Sequence, residues 1–211
     1  MTADVADCRG EQGALENVSC AVALTHEWLR HTGRSSVVRE TVRVSNPAAG
    51  VSWNPRNSDV CVYAELGTLL ALGLHHCNAV TFYNPTSDAE LIRTRSRAVT
   101  TFAHESSHGV QESAGLKPVS ATIAALAVGR TAEIRTMELA SDCWSGAAWT
   151  WLVGQGHLTA ADRAEAVAFM YALPADRPTH GSGQERGRAF ERGIVDGVAA
   201  CNHILGRPVY T

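Results

Sequence analysis

Arg97–Gln111 reads RAVTTFAHESSHGVQ. Val99, Phe102, Ala103 and Val110 can anchor this stretch as a helix against a core, and the chemistry sits between them. His104 and His108 are four residues apart, so on a helix they share one face and can offer two imidazoles to one metal ion. Glu105 is offset by one residue and points beside that ion. There a carboxylate can take a proton from a water on the metal and hand it to a leaving amine. Zinc makes such chemistry feasible near neutral pH, because it lowers the pKa of bound water from about 15.7 to about 7. The competing reading is a solvated helix face with two ordinary polar histidines; the helical context favours the metal.

A catalytic zinc needs a third protein ligand and an open position. The next long helical stretch, TAEIRTMELASDCWSGAAW (131–149), holds Glu138 and Asp142 four apart on one face, with Glu133 on another. Such a pair can supply one ligand and one partner for a ligating histidine. Met137, Leu139, Ala140 and Cys143 surround the two acids, and carboxylates in so apolar a helix need partners. His26, His31, His157 and His203 have no companion at ligand spacing and read as ordinary polar residues. His75 and His76 are adjacent, so in a strand they face opposite ways, which argues against a metal site there. His180 stands in the Gly-rich loop THGSGQER, from where a side chain can reach over a site.

The remaining sequence bounds the alternatives. The 211 residues suit one domain, with residues 1–55 as an N-terminal segment packed on a core formed by residues 56–211. Hydrophobic residues make up 45% and charged residues 18%, enough apolar material for a core and inconsistent with disorder. A net charge of −3 without a Lys/Arg cluster gives no nucleic-acid surface. Apolar runs such as Leu69 to Leu74 fall far short of the roughly 20 residues that span a bilayer. The six cysteines include no CxxC pair, which speaks against a cysteine zinc site. They are compatible with up to three disulfides in an exported protein or with buried thiols in a cytosolic one. The start, MTADVADCRGEQ, has neither a basic nor an apolar signal region, so a mature exported fragment with an added Met is expected.

Along the chain, residues 1–20 read as loop, and Ala21 to Arg30 as a helix stopped by Gly33. Ser36 to Val44 reads as a strand, Asn46 to Asn57 as loop, and Val60 to Leu74 as ambiguous. Ala79 to Tyr83 is a second expected strand. Ser87 or Asp88 is the expected cap of the HESSH helix, with Pro118 after its end. Ala121 to Val153 is expected to be helical with a break near Gly129. Thr159 and Asp162 look like the capping box of a helix to Leu173, closed by Pro174. Pro178 to Gly183 reads as loop and Gln184 to Leu205 as one last helix.

Three segments, in order, resemble the bacterial neutral zinc metallopeptidases. HESSHGVQ is similar to that family's HExxH helix with its trailing Val-Gln. ELASDC (138–143) is similar to its Glu-Leu-x-Ala-Asp-Cys box, and HGSGQERGRAFERG (180–193) to its late His-Gly segment. The spacing of His180 and Arg186 is also similar to a downstream motif of the HtpX-like and prenyl-protein metallopeptidases. The resemblance runs from about Cys61 to Cys201. It implies a gluzincin, with His104, His108 and Glu138 on zinc, His180 at the oxyanion, Arg186 supporting the site, and disulfides Cys61–Cys77 and Cys143–Cys201. Three departures stand out: Ser106-Ser107 in place of an aromatic-Gly pair, Gly109 where a second His is common, and Ser141 in place of Ala.

The expectation is therefore an α+β, helix-rich, zincin-like domain with a small sheet beside the active-site helix. It would be an extracytoplasmic peptidase holding one catalytic Zn2+, with Glu105 as general base and acid. Two other readings stay open: a zinc-bound but non-catalytic peptide- or protein-binding domain, and a zinc hydrolase of another substrate.

Overall fold

A computed structural model describes residues 5–8, 13–43, 51–54, 59–62, 74–129, 131–175 and 179–211. The chain forms two compact units, Met1–Ser120 and Ala121–Thr211. The architecture is α+β and rich in helix, as expected, and no described helix is long and apolar enough to cross a membrane.

In the first unit, helix α1 spans Ala14–His31. Residues 14–20 are thus helical, and a short 3-10 turn, Val5–Cys8, precedes them, so the loop expected over residues 1–20 is corrected. The sequence misleads here because Val18 is the one aliphatic residue among its buried anchors. Cys20 is bonded to Cys8, and the buried Asn17 amide donates to the carbonyls of Ile92 (3.2 Å) and Arg93 (3.1 Å). The helix ends before Gly33, as its sequence implies.

Strand β1 is only Glu40–Arg43, shorter than the expected Ser36 to Val44. Strands β2 (Val51–Asn54) and β3 (Asp59–Val62) pair antiparallel, so the expected loop Asn46 to Asn57 contains a strand. Its Pro, Gly and Asn residues flank a four-residue run whose partner strand starts five residues further along the sequence. Strands β4 (His75–Cys77) and β5 (Val80–Tyr83) form a hairpin through Asn78 and Ala79, both at positive φ as a type I′ turn requires. The sheet order is β1-β5-β4, with β1 parallel to β5.

Helix α2 (Arg95–Ser113) carries HESSH and packs against α1, β4 and β5. Its cap is Thr94, whose side chain accepts from the Arg97 N–H, and not Ser87 or Asp88. Asp88 instead closes the preceding turn by accepting from the Asn84 N–H at 2.7 Å. Val18, Leu24 and Leu29 of α1 and Ala98, Val99 and Phe102 of α2 are buried in this unit, with Ile92 and Tyr83.

Helix α3 (Pro118–Val128) contains the division between the units and ends at Gly129, where the break was expected. In the second unit, α4 (Ala132–Gly154) packs against α6 (Gly183–Asp196) and α7 (Val198–Leu205), and α5 (Ala160–Ala172) against α6. The Thr159–Asp162 capping box forms as its sequence implies. The single helix expected from Gln184 to Leu205 is two, because Gly197 takes φ +68°, which an α-helix cannot accommodate. The backbones of α4 and α6 touch: a methyl at Gly146 would strike the Phe190 carbonyl, and one at Gly193 the Cys143 carbonyl. Trp144, Trp149, Leu152 and Phe190 fill the interior. Trp144 lies against Tyr210, whose backbone is held by the Asn202 side chain.

Two described disulfides are Cys8–Cys20 and Cys143–Cys201. The second is the pair implied by the resemblance. The implied Cys61–Cys77 bond falls on Cys61, whose side chain lies outside the described residues.

Candidate metal centre

Within the first unit, α2 places His104, Glu105 and His108 in the interior, at 5, 7 and 7% exposure. This excludes the solvated-face reading. The imidazoles of His104 and His108 meet edge to face with ring centroids 5.0 Å apart, and each offers a nitrogen within 4.8 Å of the other's. His108 is oriented by its own helix. Its Nδ1 lies 3.0 Å from Gln111 Oε1, and an amide oxygen only accepts, so Nδ1 carries the proton and Nε2 is left basic. Gln111 is fully buried. Its spacing of three from His108 was available in the sequence but carried no weight there.

The departures from the family pattern find local reasons. The Ser106 hydroxyl donates to the Ala103 carbonyl (2.7 Å) and the Ser141 hydroxyl to the Met137 carbonyl (3.1 Å), so both small polar residues are satisfied within their own helices. Gly109 makes room for a neighbour: a methyl there would lie 2.8 Å from His76 Nε2 and 2.9 Å from the Val37 carbonyl oxygen. An imidazole therefore does stand beside position 109, supplied by β4. Burial pushes the His76 pKa down to about 3, with His108 and His75 adding to the effect, so the ring is neutral at neutral pH. Its Nδ1 lies 3.1 Å from the Thr81 hydroxyl. His75 stacks on Phe82. Neither His75 nor His76 joins a candidate metal group among the described residues.

Within the second unit, α4 presents Glu138, 7% exposed, and Asp142, fully buried. Asp142 accepts from Arg186 through both oxygens, at 2.9 Å from Nε and 2.8 Å from an Nη. The acid expected to serve a ligating histidine is thus bound to a guanidinium, which also accounts for Arg186. His180 approaches Glu138, with Nε2 3.2 Å from Oε2, and its Nδ1 lies 2.9 Å from the Thr179 hydroxyl. Thr179 carried no signal in the sequence, because its partner is its immediate neighbour.

His104 and His108 in the first unit and Glu138 in the second are buried residues of the kinds that hold a metal ion. Two imidazole nitrogens and one carboxylate oxygen are a donor set that suits zinc. His31 lies tilted against Trp28, His157 lies near Trp151 and His203 is exposed. Compared with family models, curated proteins and solved structures, the chain matches none. What the residues themselves can do then decides the function.

Proposed function

We propose that the chain is a zinc-dependent peptidase in which His104, His108 and Glu138 hold one zinc ion. The observation that carries this reading is the joint burial of His104, Glu105 and His108 within five residues of α2. Two imidazoles and a carboxylate gathered in one buried stretch of helix are the residue types that bind a divalent cation and work on its water. Gln111 supports the same reading, since it fixes on His108 the tautomer that a metal ligand needs.

Bound zinc would supply a Lewis acid that acidifies water and polarises a carbonyl. Glu105 would take the proton from the attacking water and return it to the leaving amine. Asp142 and Arg186 would hold α4 and α6 together behind Glu138. The helix-rich α+β fold, with β4 and β5 against α2, suits a minimal gluzincin of zincin-like architecture. The disulfides Cys8–Cys20 and Cys143–Cys201 favour an oxidising, extracytoplasmic location.

A mixed peptide library incubated with zinc-loaded protein tests the proposal. The wild type is expected to cleave it, and Glu105→Gln to retain zinc while losing about 10²- to 10⁴-fold in turnover. Full activity in Glu105→Gln would sink the mechanism. Silence from the zinc-replete wild type would favour a peptide-binding role or another substrate. Glu138→Ala is expected to weaken zinc binding, and unchanged affinity would remove Glu138 from the ligand set.

A further inference from the structure

Resting on the zinc reading above, we infer that His180 is a positioning residue that holds Glu138 for the metal, with Thr179 selecting the tautomer that lets it do so. Helix α4 carries two acids four residues apart, and the start of α6 answers them with two bases six residues apart. Glu138 meets His180, and Asp142 meets Arg186. The second contact is a bidentate ion pair to a fully buried carboxylate, so it fixes the register of the first.

The segment carrying His180 is tied down on its other side as well. Ser182 caps α6, accepting from the Glu185 N–H at 3.2 Å, while Glu185 accepts from the Ser182 N–H at 2.8 Å. Thr179 is 4% exposed. The His180 ring is therefore held between a cap, an ion pair and a buried hydroxyl.

For a neutral His180 beside an ionised Glu138, the hydrogen-bond chemistry has one consistent solution. An ionised Glu138 only accepts, so Nε2 of His180 must carry the proton. In a neutral imidazole Nδ1 is then the acceptor, and the Thr179 hydroxyl donates to it. With one oxygen engaged by His180, the Glu138 carboxylate is held in a fixed orientation. Such outer contacts to a ligand are commonly worth about 10- to 100-fold in metal affinity.

The experiment is zinc titration of the metal-free protein against a chromogenic chelator, with imidazole 15N spectra of the same samples. His180→Ala is expected to bind zinc about 10- to 100-fold more weakly than wild type. His180→Gln, whose amide N–H can replace Nε2–H, should recover most of that loss, and Thr179→Val should fall between. The spectra should show His180 as the Nε2–H tautomer in wild type, with that preference lost in Thr179→Val. Unchanged zinc affinity in His180→Ala would overturn the inference, and lost turnover alongside it would return His180 to the oxyanion. Should His180→Ala fail to fold, His180→Gln and Thr179→Val carry the test, and a Thr179→Val protein with wild-type affinity and tautomer would refute it. A wild type that binds no zinc, or a Glu138→Ala variant that binds it normally, would instead bring down the zinc reading itself.

Discussion

In the first unit, the two candidate ligands ride on one helix, four residues apart, and the residue that orients His108 sits one turn further along the same helix. In the second unit, Glu138 and Asp142 also share a helix, but their partners arrive on another segment, with Arg186 44 residues beyond Asp142. One half is a local construction that exists wherever α2 is helical. The other exists only when α4 and α6 are packed against each other. The first should therefore fail when its helix fails, and the second whenever the tertiary contact loosens.

Arg186→Met attacks that difference most directly. It removes the cation paired with a fully buried Asp142, at a cost of about 3–5 kcal/mol. Hydrogen exchange should show faster opening of α6 and of residues 179–182, while α2 amides keep their protection. Equal loss of protection in both units would break the contrast, since it would mean that the HESSH helix also depends on the second unit's packing.

The same contrast explains what could be read beforehand. HESSH was legible because its ligands obey helical spacing, and the Thr159–Asp162 box because its signal fits within four residues. The break at Gly129 was equally local. What stayed hidden was set by contacts between distant segments. Asn17 looks like loop until its amide reaches the Ile92 and Arg93 carbonyls. The pairing of Asp142 with Arg186 is set only when α6 packs on α4. Thr94 was missed as a cap because Ser87 and Asp88 are equally good capping residues, and Asp88 is drawn instead to the turn at Asn84. Gly197 resembles any tolerated helix glycine until its positive φ is known.

The disulfides refine the comparison. Cys143–Cys201 closes a separation of 58 residues and Cys8–Cys20 one of 12. On loop-closure entropy alone, these bonds are worth about 4 and about 3 kcal/mol respectively. Replacing both cysteines of a pair by serine should therefore lower the melting temperature more for Cys143/Cys201, the pair that joins α4 to α7. A larger drop for Cys8/Cys20 would show that the first unit relies on its crosslink more than its local helix suggests.

The smallest expected effect is the sharpest test of local construction. Ser106 lies between the two histidines, is fully buried, and donates its hydroxyl to the Ala103 carbonyl three residues back. That bond is made to a carbonyl already engaged in the helix, and such back-bonding tends slightly to loosen the turn that makes it. Alanine is the better helix former by about 0.5 kcal/mol, and it removes the buried hydroxyl without adding volume. Ser106→Ala should therefore change stability by about 0.5 kcal/mol or less and leave zinc affinity where it was. If the hydroxyl instead positions a ligand, zinc titration of this variant will show weakened binding at unchanged melting temperature. Ser106 would then be part of the metal centre, and the first unit's half of the site would need more than helical spacing to hold it.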